Sequence, residues 1–166
     1  MIVDGIEQFA ILAGLTPEES ESIVQHCRTI TAQKGAKVFE EGQSASSLFL
    51  VRSGSIELRF TVMYLNGLVE IPLESMGAGS VCGWSAMIPP HRYTLTARAS
   101  QDSELFQISQ TALHDLCEIN THFGYVVMKN LARIIGERYE LARQKLIGEI
   151  QRDLTRKENK ALWKDK

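Results

Sequence analysis

The chain has 166 residues, of which 44% are hydrophobic and 23% charged, and its formal net charge is −2 at pH 7. This length corresponds to about one domain, and the composition is that of an ordinary globular protein. The near-neutral charge excludes a strong overall field for nucleic acid or membranes. We find neither a signal peptide nor an apolar run of the roughly 18 residues that a membrane span needs, so we expect a cytoplasmic protein.

Charge is unevenly distributed along the chain. The segment from Lys129 to Lys166 holds 11 Lys/Arg against 6 Asp/Glu, which leaves 7 against 14 for the rest. Such a basic segment is either a solvated helix face or an arm for an acidic partner or nucleic acid. The three cysteines Cys27, Cys82 and Cys117 are far apart in the sequence. Their odd number favours buried thiols in a reducing compartment over disulfides or a zinc site.

Residues 1–27 are predicted to form N-terminal helices, in two pieces between Gly5 and Cys27. The stretch "IEQFAILAGL" places apolar residues at helical spacing. Thr16 stands three residues before Glu19, and Pro17 takes the first helical position between them. This spacing is a capping box, which predicts the start of the second helix.

Residues 28–109 are predicted to form a β-barrel, because the hydrophobic period changes to two after Arg28. The sequence "YLNGLVEI" places Asn66-Gly67 between apolar runs, which is a strong hairpin signal. Regularly spaced short strands indicate a sandwich or a jelly-roll barrel whose two sheets shelter a cavity. The predicted strands are 37–40, 47–51, 56–62, the two sides of the Asn66-Gly67 turn, and runs within 92–100 and 104–109.

Residues 110–154 are predicted to form a short helix from Gln110 and a long helix from about His122. The apolar residues of the long helix recur at a mean spacing near 3.67, which draws a nearly straight stripe along one face. The stripe is Met128, Leu131, Ile135, Tyr139, Ala142, Leu146 and Ile150. A stripe of this length favours a twofold homodimer through the 122–150 helix, and a helix folded back wholly onto its own domain is the alternative. Residues 155–166 are predicted to be a frayed polar tail.

The stretch "KGAKVFEEGQSASSLFLVRSGSIELRF" resembles the first half of the cyclic-nucleotide-binding domain of the cAMP receptor protein and fumarate-nitrate regulator type. The resemblance rests on the turn glycines Gly35, Gly42 and Gly54 and extends over about residues 6–150. It implies a mainly β fold with flanking helices, a double-stranded β-helix (jelly-roll) barrel followed by a long C-terminal helix. It further implies a regulatory rather than catalytic role.

The stretch "GWSAMIPPHRYTLTARA" resembles the phosphate-binding cassette of that family. There, the cassette reads glycine-glutamate-x-alanine-leucine, then a linker, then an arginine followed by small residues. Aligned without a gap, Trp84 replaces the glutamate and Tyr93 replaces the arginine. Loss of both anchors would weaken cyclic nucleotide binding by roughly 3–6 kcal/mol, or 10²–10⁴-fold. The resemblance implies a ligand site at Gly83, Trp84, Ser85, Ala86, Arg92, Tyr93 and Thr94, with Arg92 as a substitute anchor only if a bulge shifts it by one position.

The sequence therefore predicts a stand-alone regulatory domain that senses a small molecule or a divergent nucleotide and signals through its C-terminal helix to a partner. The alternative is a ligand-free dimeric scaffold for protein interactions, and a weaker one is nucleic-acid contact through the basic tail. We predict no metal site, because His26, His114 and His122 fall in helical segments and His91 in the proline loop, whereas a barrel metal site needs histidines from neighbouring strands. The sequence has no Gly-x-Ser-x-Gly elbow, Walker loop or Cys-x-x-Cys motif, so we also predict no enzyme activity, and we predict no resident cofactor. No helix-turn-helix can be built from the tail, so specific DNA binding is not expected.

Overall fold

The computed structural model describes the backbone of residues 6–162 and the side chains of residue 6 and residues 8–156. The predicted start of the first helical piece at Gly5 and the last four residues of the predicted tail lie outside this range. The chain divides into two compact units, residues 1–130 and 131–166. Within residues 6–162, no helix combines the length and the apolar character needed to cross a membrane.

The N-terminal region contains two short 3₁₀ turns and one α-helix. The turns are Ile6–Gln8 and Ala10–Leu12, and α1 spans Pro17–Val24. The backbone N–H of Glu19 donates to Oγ1 of Thr16 at 3.2 Å, and Oε2 of Glu19 accepts from the N–H of Thr16 at 2.9 Å. The capping box is therefore confirmed, with Pro17 at the first turn of the helix.

Within residues 6–162, eight strands form two four-stranded antiparallel sheets, which confirms the mainly β, jelly-roll prediction. One sheet has the order β1-β8-β3-β6 and the other β2-β7-β4-β5. Two of the strands, β1 and β6, were not predicted individually; β6 has only two residues, which is too short to show alternation. The strands are β1 (Cys27–Ala32), β2 (Lys37–Phe39), β3 (Ser47–Ser53), β4 (Ser55–Tyr64), β5 (Gly67–Gly77), β6 (Val81–Cys82), β7 (Thr96–Ala99) and β8 (Ser103–Ser109).

The hairpin between β4 and β5 is present, but its loop lies one residue earlier than Asn66-Gly67. Tyr64 pairs with Gly67 across the ladder, so the loop consists of Leu65 and Asn66. Leu65 adopts a positive φ of 51°. Gly67 is therefore the first residue of β5, because the antiparallel ladder between the two strands includes it.

Two helices follow the barrel. Ser109 caps α2 (Gln110–Ile119) by accepting from the N–H of Ala112, and α3 spans Thr121–Leu162. The prediction that the chain frays after Leu154 is wrong for the described residues, since α3 continues to Leu162. The i,i+3 pair of Arg152 with Glu149 stabilises this part of α3. Oγ1 of Thr155 donates to the carbonyl of Gln151, a bond that competes with the backbone bond of the helix.

A buried carboxylate connects α1 to the junction of α2 and α3. Glu19 is 6% exposed and accepts hydrogen bonds from Nδ2 of Asn120 at 2.9 Å and Nδ1 of His122 at 2.8 Å. Burial raises the pKa of Glu19, but the bonds from Thr16, His122 and Asn120 outweigh it and leave the pKa below its ordinary value. The junction is therefore held by a charged group that must stay ionised.

The hydrophobic core lies between the two sheets. Its largest contributors are aromatic and aliphatic side chains from both sheets. In β3 the residues 47–51 are all buried, so this strand is covered on both of its faces. The core includes Phe39, Phe49, Val51, Ile56, Leu58, Met76, Ala86, Tyr93, Ala97 and Leu105. Two of these, Ala86 and Tyr93, belong to the stretch that resembles the cassette.

Candidate functional site

The cassette begins as the family pattern predicts, with a glycine followed by a short helical turn. Gly83 adopts φ 77° and ψ 22°, and residues Trp84–Ala86 form one 3₁₀ turn. The N–H of Ala86 donates to the carbonyl of Gly83, and the N–H of Met87 donates to the carbonyl of Trp84. These two amides are consumed within the turn, so neither is free to bind an anion.

Gly83 lies so close to β3 that any side chain at this position would force its neighbours to shift. A Cβ at this position would stand 3.0 Å from the carbonyl oxygen of Ser47 and 3.1 Å from the ring of Phe49. The left-handed backbone conformation also favours glycine. Both observations explain why the cassette needs glycine here, whatever the site binds.

Tyr93, which the ungapped alignment sets at the arginine position of the cassette pattern, lies in the barrel interior. The ring is 4% exposed and stacks on Phe39 with centroids 4.0 Å apart and an interplanar angle of 17°. Phe39 in turn stacks on Phe49 at 5.6 Å. The three rings form a continuous aromatic stack, which we call the aromatic plug, behind Gly83.

The hydroxyl of Tyr93 is bonded to the backbone at the start of β3. It donates to the carbonyl of Ser47 at 2.8 Å and accepts from the N–H of the same residue at 3.2 Å. Burial raises the pKa of Tyr93, and its hydrogen bonds to Ser47 and Ser46 only partly offset that rise. The phenol is therefore a neutral, uncharged group where the family places a cation.

The remaining predicted site residues do not converge on one point. Ala86 is buried in the core, Trp84 and Ser85 are half-buried, and Thr94 is exposed. Gly83 and Ala86 thus lie in the same region as Tyr93 and the rest of the aromatic plug, whereas Thr94 lies outside it.

Arg92 lies outside the named strands, in an isolated bridge with Ser44. Its guanidinium is exposed and donates to the carbonyl of Gly42 at 2.6 Å. Arg98 donates to Glu70 and to the carbonyl of Gly35. In this structure both arginines of the cassette region are bonded to groups of the chain.

Arg98 belongs to a surface network rather than to the barrel interior. It alternates along β7 with Ala97 and Ala99, which are core residues, so it faces away from the core. Hydrogen bonds from Arg98 lower the pKa of Glu70 most strongly; burial opposes them and Lys37 assists. This arginine therefore stabilises a carboxylate on the outer surface of its sheet.

Three residues that the sequence analysis did not single out complete the site. Phe39 and Phe49 supply the rest of the aromatic plug, and Ser47 supplies its polar anchor. The apolar residues of the predicted strands 37–40 and 47–51 indicate that both phenylalanines are buried. Their stacking on Tyr93 could not be read from the sequence, because 54 and 44 positions separate them from it.

The site carries no evident catalytic chemistry among the described residues. Cys27, Cys82 and Cys117 are free thiols. Burial raises the pKa of Cys27 to about 12 and raises that of Cys117 as well, which disfavours the nucleophilic thiolate. Residues 6–162 contain no group of three or more His, Cys, Asp or Glu side chains placed to hold a metal ion.

A family model, that of the cyclic nucleotide-binding domain, matches residues 29–120 of the chain. The match begins in β1, spans the remaining strands and the cassette, and ends just after α2. It therefore covers more than half of the chain and includes Gly83 and Tyr93.

Solved structures with the same fold include two bacterial proteins. A candidate cyclic nucleotide-binding protein from Geobacter metallireducens GS-15 is 26% identical with a TM-score of 0.72, over 84% of this chain and 99% of that one. The catabolite activator protein of Thermus thermophilus is 26% identical with a TM-score of 0.68, over 82% of this chain and 61% of that one.

One curated protein, Glutaminase 1 of Bradyrhizobium diazoefficiens, is 25% identical over 136 residues. The match covers 82% of this chain but only 21% of the glutaminase. The chain therefore spans about a fifth of that relative, and the similarity concerns one part of a longer protein.

Proposed function

Because this chain belongs to the cyclic nucleotide-binding domain family, we propose that it is a regulatory module whose cassette is held by the aromatic plug instead of by a cyclic nucleotide. The observation that carries this proposal is Tyr93, which is buried, stacked on Phe39 and bonded to Ser47. On this proposal, a side chain of the protein fills the space that a nucleotide would take. Of the three functions predicted from the sequence, this supports the ligand-free interaction module over a sensor that binds inside the barrel.

The energetic argument supports the same choice. A cyclic phosphate needs a charged partner in a buried site, and a neutral phenol supplies none. Each charged hydrogen bond that is missing costs roughly 1.5–3 kcal/mol. In addition, entry of a nucleotide would require the plug to leave a well-packed core, which costs several kcal/mol for an aromatic ring.

We propose α3 as the surface through which the module acts, in a twofold homodimer in the cytoplasm. Tyr139, Leu146 and Ile150 lie on the predicted stripe and are 67%, 61% and 50% exposed. An apolar stripe at this spacing is stabilised when it packs on a second copy of the same helix. Regulation of a partner protein by this dimer fits the family's role, while glutaminase activity is not proposed.

Calorimetric titration with cAMP and with cGMP tests the proposal for the cassette. We expect no binding tighter than about 100 µM, which follows from a 10²–10⁴-fold loss relative to a micromolar site. A dissociation constant below about 10 µM for either nucleotide would show that the ligand displaces the aromatic plug, and it would refute the proposal.

Light scattering coupled to size-exclusion chromatography tests the proposed dimer. Leu146→Glu places a charge on the stripe and should convert the dimer to monomer, since burying an unpaired carboxylate is costly. Gln144→Glu adds the same charge on the same helix but off the stripe, and should leave the dimer intact. A monomeric wild-type chain at about 100 µM would remove α3 as a homodimer interface.

A further inference from the structure

A cavity lies on the outer side of the cassette, where α2 and the start of α3 face it. It has a volume of about 200 Å³. Residues of the cassette, of α2 and of α3 line it. The cassette contributes Ala86, Met87 and His91, α2 contributes Leu113 and Cys117, and α3 contributes Met128. This cavity is separate from the barrel interior, which the aromatic plug occupies.

The walls of the cavity are mostly apolar and uncharged. Leu113 and Ala86 are buried, and Met87 and Met128 supply flexible thioether side chains. Burial raises the pKa of the Cys117 thiol, so this wall carries no thiolate. An apolar cavity of about 150 Å³ accommodates benzene, so this cavity matches a slightly larger, bicyclic aromatic molecule.

Three polar residues line the cavity, His91, Gln110 and His114, and His91 has a defined hydrogen bond. Nδ1 of His91 lies 3.2 Å from the carbonyl oxygen of Ala86. Because a carbonyl only accepts, Nδ1 carries the proton, and Nε2 is left as a hydrogen-bond acceptor. A ligand with one N–H or O–H donor satisfies this acceptor.

The part of the cavity wall around His114, which we call the rim, disfavours anions. The two ring nitrogens of His114 stand 3.8 Å from the carboxylates of Asp115 and Glu118. Two carboxylates therefore lie close to one imidazole of the wall. A carboxylate or phosphate on the ligand would meet this negative charge.

We propose that this outer cavity binds a small, flat aromatic molecule that carries a hydrogen-bond donor and no negative charge. The site touches both the cassette and α3, through Met87 and Met128, so a ligand here contacts the element proposed as the output. The proposal does not depend on how the barrel interior is filled. Titration with a nucleotide tests the proposal for the barrel interior, and titration with indole tests the proposal for the outer cavity. Either proposal can therefore be refuted while the other stands.

Titration of the full chain with indole, followed by NMR of ¹³C-methyl methionine, tests the site without any mutation. We expect a dissociation constant on the order of 10⁻⁴ M, as befits a ligand of about nine heavy atoms. The methyl signals of Met87 and Met128 should shift, while those of Met63 and Met76 should not. Absence of binding below about 10 mM indole, or shifts spread equally over all four signals, would overturn the proposal.

Two variants of α2 locate the site. Cys117→Phe fills the cavity and should weaken indole binding at least about tenfold, whereas Ile119→Phe adds the same ring at an 84% exposed position of the same helix and should not. Equal binding by Cys117→Phe and wild type would overturn the proposal. The methyl shifts remain decisive even if Cys117→Phe fails to fold.

Ligand analogues test the chemistry of the site. Replacing indole with 1-methylindole removes the donor and should weaken binding about two- to tenfold, the value of one neutral hydrogen bond. Indole-3-acetate should bind at least about threefold more weakly than indole because of the acidic rim. Tighter binding of the acetate than of indole would refute the charge assignment.

Discussion

The hydroxyl of Tyr93 and the backbone of Ser47 form a closed pair of hydrogen bonds, in which the phenol donates at 2.8 Å and accepts at 3.2 Å. The same Ser47 carbonyl stands 3.0 Å from the point where a Cβ on Gly83 would lie. The two ends of the cassette thus meet the same peptide group at the start of β3.

Tyr93→Phe removes the hydroxyl and leaves the N–H of Ser47 without its partner in a buried site. We expect the free energy of unfolding to fall by about 1–3 kcal/mol, the cost of an unsatisfied buried group. Denaturant unfolding followed by circular dichroism measures the loss. Tyr125→Phe removes a hydroxyl at a 65% exposed position and should change stability by less than about 0.5 kcal/mol. Equal effects of the two substitutions would contradict the role of the Ser47 bonds.

Gly83→Ala forces a side chain into the contact with Ser47 and Phe49, at a backbone φ of 77°. We expect a loss of about 2–4 kcal/mol from the left-handed conformation and from overpacking together. Gly79 has a similar φ of 83°, but a Cβ there would lie in open space. Gly79→Ala therefore measures the cost of the left-handed backbone conformation alone, which we expect to lower the free energy of unfolding by about 1–2 kcal/mol. Gly136→Ala lies inside α3 with open space and should stabilise by up to about 1 kcal/mol. If Gly79→Ala costs as much as Gly83→Ala, close packing of the cassette is not the cause.

Glu19→Gln should change the response of stability to acid. The folded-state pKa of Glu19 is lowered, so its ionised form stabilises the fold fully above the unfolded value near 4.5 and loses this contribution as pH falls through the folded pKa. The difference in unfolding free energy between wild type and Glu19→Gln is therefore expected to be larger at pH 7 than at pH 3. Glu21→Gln, at an exposed position of the same helix, is the matched control. A difference that does not change with pH would show that Glu19 acts only through its shape.

The double variant Trp84→Glu with Tyr93→Arg restores both family anchors at their aligned positions. We expect it to bind cAMP more tightly than wild type by about 10²–10⁴-fold, because the guanidinium and the ribose acceptor each restore charged hydrogen bonds. Calorimetry of the folded variant measures this gain. Trp84→Glu alone should raise the affinity for cAMP only slightly, since the aromatic plug stays in place. No gain in a stably folded double variant would mean that Phe39 and Phe49 by themselves keep the barrel closed.

Several elements could be predicted from local sequence signals. The capping box at Thr16 and Glu19, the short strands and the long helix are each specified by residues close together in the chain, through hydrogen bonds and hydrophobic periodicity. The replacement of an arginine by Tyr93 also follows from alignment to the cassette pattern. Each of these features depends on neighbours within about one turn or one strand.

Other features required the tertiary structure. The hairpin loop lies at Leu65-Asn66, one residue before its predicted position, because the hydrogen-bonded ladder between β4 and β5 sets the pairing register of the two strands. This register depends on both strands and not on either one alone. Likewise, α3 extends beyond Leu154, although no apolar periodicity predicts a helix there. The residues in that stretch include good helix formers such as Arg156, Lys157 and Glu158.

By itself the sequence determined which residue types stand in the cassette, and hence that a glycine turn remains while both charged anchors are lost. Only the tertiary structure decided what Tyr93 does there. Its ring stacks on Phe39 and its hydroxyl bonds to Ser47, from strands that lie 54 and 46 positions earlier in the chain. Packing of this kind arises where distant strands meet in the core, because close contact is set by the positions of both sheets and not by spacing along either one.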